Sequence, residues 1–383
     1  MTLTFVTNFV HHHQLPLADE FYRLLGNDYR YIATSQLPNW LIKGGYDPSL
    51  DRPYIIRTYL SGEEMEIARN LIDNSDVVIY GAAPDDWVYK RKTLDKVTFH
   101  FSERWLRKID FHAISPRVLY NIYRNYYKFR NKRTYMLCAS AFTAADVHHY
   151  ACFPGKCFKW GYLTSVESSF NVNESCDEIS SKERIPIMWC ARFLKLKDPE
   201  LPVQLAARLK KKGYIFSIDM FGSGVELENT QHLIRKLCVE DCVRLCGNLP
   251  NTEILKEMKA HKIFLFTSDR NEGWGAVLNE AMSNGCVPVA SNEIGSVPYL
   301  IKSGYNGLVF ESRNLNSLYN NVTQLLDNPD KLMELSKAAV YTMQNIWSPR
   351  VAAENFLDLA NHVINNTLDL YRRTEGPASW DKQ

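Results

Sequence analysis

The chain has 383 residues, a formal net charge of +2 and 45% hydrophobic residues. That is enough apolar material for two domains with separate cores, and it excludes a disordered or collagen-like polymer. No apolar run of about 18 residues occurs, so no membrane-crossing helix is expected.

The opening stretch MTLTFVTNF has neither a basic start nor a long apolar centre and is not expected to act as a signal peptide. Leu3–Thr7 reads as a first buried strand, followed by a loop with His11, His12 and His13. Three adjacent histidines on one loop rarely converge on a metal without a Cys or carboxylate partner, so no metal is assigned. His12 and His13 are instead candidates for contact with a ligand, against the plainer reading of a polar loop with one satisfied ring. Residues 97–100 (VTFH) read as another strand ending on His100, with Glu103 and Arg104 in the loop that follows.

Residues 87–133 hold thirteen Lys and Arg against three Asp and Glu, a local balance of +10 in a nearly neutral chain. Between Arg117 and Arg133 the cations alternate with Tyr120, Tyr123, Tyr126, Tyr127 and Phe129. Aromatics and cations on one helical stretch suit an anionic membrane surface. A helix with its aromatics in the core and its cations in solvent reads equally well. No nucleic-acid-binding motif accompanies the charge, so nucleic acid is not expected as a partner.

Residues 165–184 are polar and Ser-rich and read as a linker between domains. Ile185–Cys190 then reads as a strand, with Arg192 and Lys197 in the loop behind it and a helix from Pro199 to about Lys211. A further strand, 215–221, ends in Gly222-Ser223-Gly224, a turn that lets backbone approach a ligand or a neighbouring loop. Another, 243–246, runs into Gly247 and Asn248. Residues 262–267 (KIFLFT) form a short buried strand, followed by Glu272, Gly273, Gly275, a helix over 276–284 and a strand over 287–290. Residues 349–370 read as helical, and 374–383 as a loose tail. Strands alternating with helical stretches predict α/β domains built on parallel sheets. The nine cysteines show no zinc spacing; Cys138, Cys190 and Cys246 fall in apparent strands and read as buried thiols, which fits a reducing cytoplasm.

The most informative unit is the strand, Gly-bearing loop and helix that carry Glu272 and Glu280, eight positions apart. A helix opening just after a strand presents free N–H groups and a positive dipole end to an anion. Two carboxylates beside it suit a diphosphate flanked by hydroxyl groups. Upstream, Arg192 offers a bidentate fork and Lys197 a point charge to phosphate oxygens. This Glu-x7-Glu pattern, with Arg and Lys in that order before it, resembles retaining glycosyltransferase family four, the glycosyl transferases group 1. The resemblance is dense over residues 185–310.

The resemblance implies the GT-B fold: two Rossmann-like domains, 1–164 for the acceptor and 185–348 for a nucleotide sugar, facing an interdomain cleft, with 349–373 crossing back to the first. It implies that Glu272 and His100 orient the donor sugar and that Glu280 holds the ribose. Arg192, Lys197 and the N–H groups of Gly275, Ala276 and Val277 then hold the diphosphate, with Gly222, Gly224 and Asn248 beside the donor. The family's usual Gly-rich loop after the first strand is replaced here by Asn8–Gln14. The implied reaction is sugar transfer, with retained anomeric configuration, from a nucleotide sugar to a hydroxyl of a glycan or polyprenyl-linked glycan in surface-polysaccharide synthesis. No Asp-x-Asp motif occurs, so no cofactor and no metal are expected. The expected location is the cytoplasm, or the inner face of the plasma membrane. Two alternatives stay open: a sugar-nucleotide epimerase on the same fold, and a non-catalytic nucleotide-sugar-binding subunit.

Overall fold

The computed structural model describes residues 1–43, 47–107, 111–167 and 184–381. The chain divides into two units, Met1–Ser165 with Ile346–Gln383, and Val166–Asn345. Most of the expected linker, 168–183, lies outside the described residues, as do 382 and 383 of the tail.

The first unit is a seven-stranded sheet, all parallel, in the order β3-β2-β1-β4-β5-β6-β7. Its strands are β1 (Leu3–Thr7), β2 (Tyr29–Ala33), β3 (Ile55–Arg57), β4 (Val77–Tyr80), β5 (Thr98–Ser102), β6 (Thr134–Cys138) and β7 (Cys157–Lys159). β1, β4 and β6 are buried along their whole length, as a sheet covered on both faces requires. The helix Pro349–Ile364 belongs to this unit. Its first turn is capped by the Ser348 hydroxyl, which accepts from the Val351 N–H, and its Phe356 packs edge-on against Phe21, Phe99 and Trp160.

The second unit repeats the plan with six parallel strands: β8 (Ile185–Cys190), β9 (Phe216–Phe221), β10 (Val243–Gly247), β11 (Ile263–Phe266), β12 (Val287–Ser291) and β13 (Leu308–Phe310). Their order is β10-β9-β8-β11-β12-β13. One continuous core joins Ile187, Trp189, Leu205, Ile218, Leu265 and Leu318. In both units the strand order reverses beside the first strand, between β1 and β4 and between β8 and β11. Such switch points leave a crevice at the carboxyl ends of the strands, where open α/β sheets take their ligands.

The structure corrects the sequence in two places. Residues 374–381, expected to be loose, are ordered along β7. Ala378 N–H donates to Lys159 O at 2.7 Å, Lys159 N–H to Ser379 O at 2.8 Å and Asp381 N–H to Cys157 O at 3.0 Å. The Trp380 ring lies 4.6 Å from that of Phe158. β7 is an edge strand whose unpaired backbone groups need partners, and the tail supplies them. Second, two of the cations counted in the basic stretch are not at the surface: Arg91 and Lys92 are fully buried. Arg91 donates to the carbonyls of Ile72, Ser75, Asp76 and Val97, joining the end of the helix Gly62–Asn74 to the start of β5.

Candidate active site

At the switch point of the second unit, β8 ends in Cys190 and the chain turns through Ala191–Asp198. Phe193 anchors this loop, its N–H donating to Ser223 O and its carbonyl accepting from Glu226 N–H. Gly222 and Gly224, at φ 131° and 150°, make the approach possible. A Cβ on Gly222 would lie 2.0 Å from Ala191 O, and one on Gly224 would lie 2.4 Å from Phe193 O. These glycines therefore serve first to seat one loop against another.

Lys197 is fixed at its backbone. Trp189 Nε1 donates to Thr267 Oγ1 at 2.9 Å, and that hydroxyl donates onward to Lys197 O at 2.7 Å. Its ammonium meets the Glu272 carboxylate, and both side chains are about one-eighth exposed (12% and 13%). The Glu272 loop is held by Asp269. Asp269 N–H donates to Leu196 O at 2.8 Å, and its carbonyl accepts from Glu272 N–H at 3.0 Å. Its carboxylate accepts from both nitrogens of Asn271 at 2.9 Å and from Arg313 Nη2 at 2.6 Å. Gly275, at φ 81°, turns the chain where a Cβ would lie 2.3 Å from the Phe266 ring.

The helix Val277–Ser283 follows, and the N–H groups of Gly275, Ala276 and Val277 donate to no described residue. Glu280 is not the solvated helix residue that its spacing alone would allow, being only 7% exposed. Burial raises its carboxyl to about 7, against the pull of Asn251 Nδ2, which donates to it at 3.0 Å. Burial, with Glu280 adding to it, pushes the Cys190 thiol up to about 12, while Lys197 pulls the other way. Cys190 therefore lies within electrostatic reach of both groups. Arg192 stands exposed on the β8 loop, and Asn248 is exposed in the turn after β10.

The switch point of the first unit holds a cavity of about 390 Å³, lined by Asn8, Gln14, Tyr80, Asp85, Glu103, Trp105, Tyr126 and Tyr162 among others. His100, at the middle of β5, is 3% exposed and lines it, and its Nε2 has no hydrogen-bond partner among the described residues. Burial, with Lys92 nearby, holds the ring well below the usual histidine range, so it is neutral. His11 lines the cavity as well, lowered to about 3 by burial and by His12. His12 and His13, the candidates for acceptor or donor contact, have rings 3.9 Å apart and are not among the residues lining this cavity. Arg104 is also absent from the lining. Its guanidinium lies 3.5 Å from Asp146 and stacks 4.8 Å from the Phe142 ring, a structural arrangement.

Further along, the helix Pro116–Asn125 exposes Leu119, Tyr120 and Tyr123 together with Arg117 and Arg124, whereas Phe129 is buried. The basic aromatic stretch is thus split between surface and core. No described helix is long and apolar enough to cross a membrane. Among the described residues no group of three His, Cys, Asp or Glu side chains is placed to hold a metal ion.

Sequence reasoning missed Thr267, Asp269, Arg313 and Asn251. Asp269, two residues before an Asn on a loop, carried a turn signal. Arg313 and Asn251 act across long sequence separations and carried none.

Residues 176–340 match the family described as glycosyl transferases group 1. Over 169 residues the chain is 25% identical to a D-inositol 3-phosphate glycosyltransferase of Corynebacterium aurimucosum, covering 42% of this chain and 40% of that protein. Over 236 residues it is 26% identical to a GDP-mannose:cellobiosyl-diphosphopolyprenol alpha-mannosyltransferase of Komagataeibacter xylinus, covering 60% and 55%. The chain thus spans only about half the length of these curated relatives. Anabaena Alr3699/HepE, solved in complex with UDP and glucose, superposes with a TM-score of 0.64 at 12% identity, over 94% of this chain and 99% of the other. At that identity the likeness shows the fold, GT-B.

Proposed function

We propose that this chain, whose residues 176–340 match the glycosyl transferases group 1, transfers a hexosyl group. The donor is a nucleoside diphosphate sugar, the acceptor is a hydroxyl of a glycan or lipid-linked glycan, and the anomeric configuration is retained. The observation that carries this reading is the Lys197–Glu272 pair at the β8–β11 switch point, with buried Glu280 on the helix that follows. A diphosphate entering there attracts Lys197 and Arg192, while the sugar hydroxyls take over the Glu272 carboxylate. The Lys197–Glu272 pair thus becomes two separate contacts to the donor. The amides of Gly275, Ala276 and Val277 receive the phosphate oxygens. The ribose hydroxyls donate to Glu280.

In the transfer, the bond from the anomeric carbon to the phosphate oxygen breaks as the bond to the acceptor oxygen forms on the same face. The acceptor proton passes to the departing phosphate, whose growing charge Lys197 and Arg192 stabilise. The solved relative was seen with UDP and glucose, so UDP-glucose is the first donor to test. The exposed Tyr120, Tyr123, Arg117 and Arg124 suit an anionic membrane surface, where a polyprenyl-linked acceptor would be met.

The test is a transfer assay of the full chain with UDP-glucose and GDP-mannose against glycan and polyprenyl-diphosphate-glycan acceptors. Product with the donor's anomeric configuration, lost in Glu272→Ala, is expected. Conversion of the donor without any acceptor, or unchanged transfer by Glu272→Ala, would reject the reading.

A further inference from the structure

Arg313 lies in the loop after β13, at the edge of the second sheet and two strands away from β11. Its backbone is left-handed, at φ 60°. That region is costly for a long side chain and persists where the surroundings impose it. Here a short turn imposes it. Asn314 N–H donates to Glu311 O at 3.0 Å, and the Asn314 side chain caps the helix Leu315–Leu326 by accepting from Ser317 N–H at 3.0 Å. From this turn the guanidinium reaches back across the sheet, and its Nη2 donates to Asp269 Oδ2 at 2.6 Å.

The loops between are joined in the same direction. Ser312 N–H donates to Asn292 Oδ1 at 3.0 Å, and Arg270 N–H to Glu293 Oε2 at 3.2 Å. Asp269 N–H then donates at 2.8 Å to the carbonyl of Leu196, which precedes Lys197. One run of contacts thus links the carboxyl ends of β13, β12, β11 and β8, and Asp269 meets both Arg313 and the β8 loop.

The Asp269 side chain is 7% exposed and that of Arg313 63%. A pair with an exposed cation adds little to overall stability. Its effect is local instead. A buried carboxylate that loses its counter-charge takes up a proton or moves toward water. Either change reaches the Glu272 loop directly, because Asp269 accepts from Asn271 N–H through its carboxylate and from Glu272 N–H through its carbonyl. Arg313 also acts on the β8 side. Burial raises the Asp198 carboxyl, with Glu200 and Asp269 adding to it, and Arg313 pulls the other way. Carboxylates on both loops that carry the Lys197–Glu272 pair therefore lie in the field of Arg313.

We propose that Arg313 is a positioning residue for Glu272, acting from the β13 loop through the Asp269 carboxylate. Its effect on transfer rests on the role proposed for Glu272; its effect on the loop does not.

The test joins two readouts on the full chain: amide hydrogen exchange over residues 268–276, and steady-state transfer with the donor that the transfer assay identifies. Arg313→Ala should speed exchange of the Asp269, Asn271 and Glu272 amides several-fold, while β8, β11 and β12 keep wild-type protection. Its kcat should fall about 10-fold, a misplacement effect. Affinity for the free nucleoside diphosphate should not change, because Lys197 and Arg192 remain. Arg313→Lys keeps the charge and should recover part of both losses. Asp269→Asn removes the charge that Arg313 answers, so adding Arg313→Ala to it should cost little more. Wild-type loop exchange in Arg313→Ala overturns the proposal, as does full additivity of the two substitutions. Exchange raised throughout the second unit, with nucleotide affinity lost in step, makes Arg313 part of the general fold and overturns it too. Faster loop exchange in a chain that transfers no sugar sustains the positioning and overturns the transferase reading. Wild-type kcat in Arg313→Ala, with transfer intact, overturns the positioning alone.

Discussion

The two units solve the same topological problem with opposite chemistry. Both reverse strand order beside their first strand, and both place candidate residues in the loops at that point. In the second unit those loops carry Lys197, Arg192 and Glu272, and their geometry is set by charge and by glycines that admit close backbone contact. In the first unit Tyr, Trp and neutral His line a cavity that has two carboxylates and, among the described residues, no Lys or Arg. The comparison teaches that the fold supplies the location of a site, whereas the charge of its loops selects the ligand.

The largest expected effect comes from breaking the charged site. Glu272→Ala or Lys197→Ala should lower kcat by roughly 10²–10³-fold, as loss of one preorganised electrostatic contact does elsewhere. Circular dichroism and Tm should show an intact fold. If instead each variant unfolds at the assay temperature, the pair is structural and the contrast between the units dissolves.

Next is the backbone that seats it. Gly222→Ala should destabilise the second unit by more than about 1 kcal/mol, because the position has positive φ and its Cβ would overlap a carbonyl. Denaturant melts would detect this. Gly155→Ala in the first unit, also at positive φ but with open space around it, is the control and should cost less.

A smaller effect should follow from Thr267→Val, which keeps volume but removes the hydroxyl between Trp189 and Lys197 O. Two groups lose a partner at about 1–3 kcal/mol for an unsatisfied buried one. kcat should fall about 10-fold with a smaller change in KM, a misplacement effect. A change confined to Tm would make Thr267 part of the core and nothing more.

The smallest is a pH effect confined to the second unit. Burial raises the Glu280 carboxyl to about 7. Under the proposed donor site, ribose hydroxyls donate to its ionised form, so nucleotide binding should release a proton and affinity should rise as pH increases through 7. A several-fold tightening between pH 6 and 8, absent in Glu280→Gln, is expected by calorimetry.

How much of this was legible in the sequence follows the same division. The parallel-sheet fold was readable from short apolar runs such as 263–266, which are apolar because both faces of the sheet are covered. Glu272, Glu280, Arg192 and Lys197 could be singled out as candidates because their order and spacing match the family pattern. Their mutual arrangement was not legible. Nothing in spacing says that Lys197 pairs with Glu272, or that Arg313 reaches Asp269 across 44 positions. In the first unit nothing in the run of three histidines says which ring meets the cavity, and only the folded loop puts His11 there. The tail looked loose because the partner of Trp380 lies on β7, more than two hundred residues away.

The measurement that tests the central claim most directly is calorimetric binding of UDP, GDP and ADP to the full chain, with Lys197→Ala in parallel. Binding of one nucleoside diphosphate at a single site, weakened at least about 10-fold in the variant, is the predicted result. Binding of equal strength by wild type and Lys197→Ala would contradict the claim that the β8–β11 switch point receives the diphosphate.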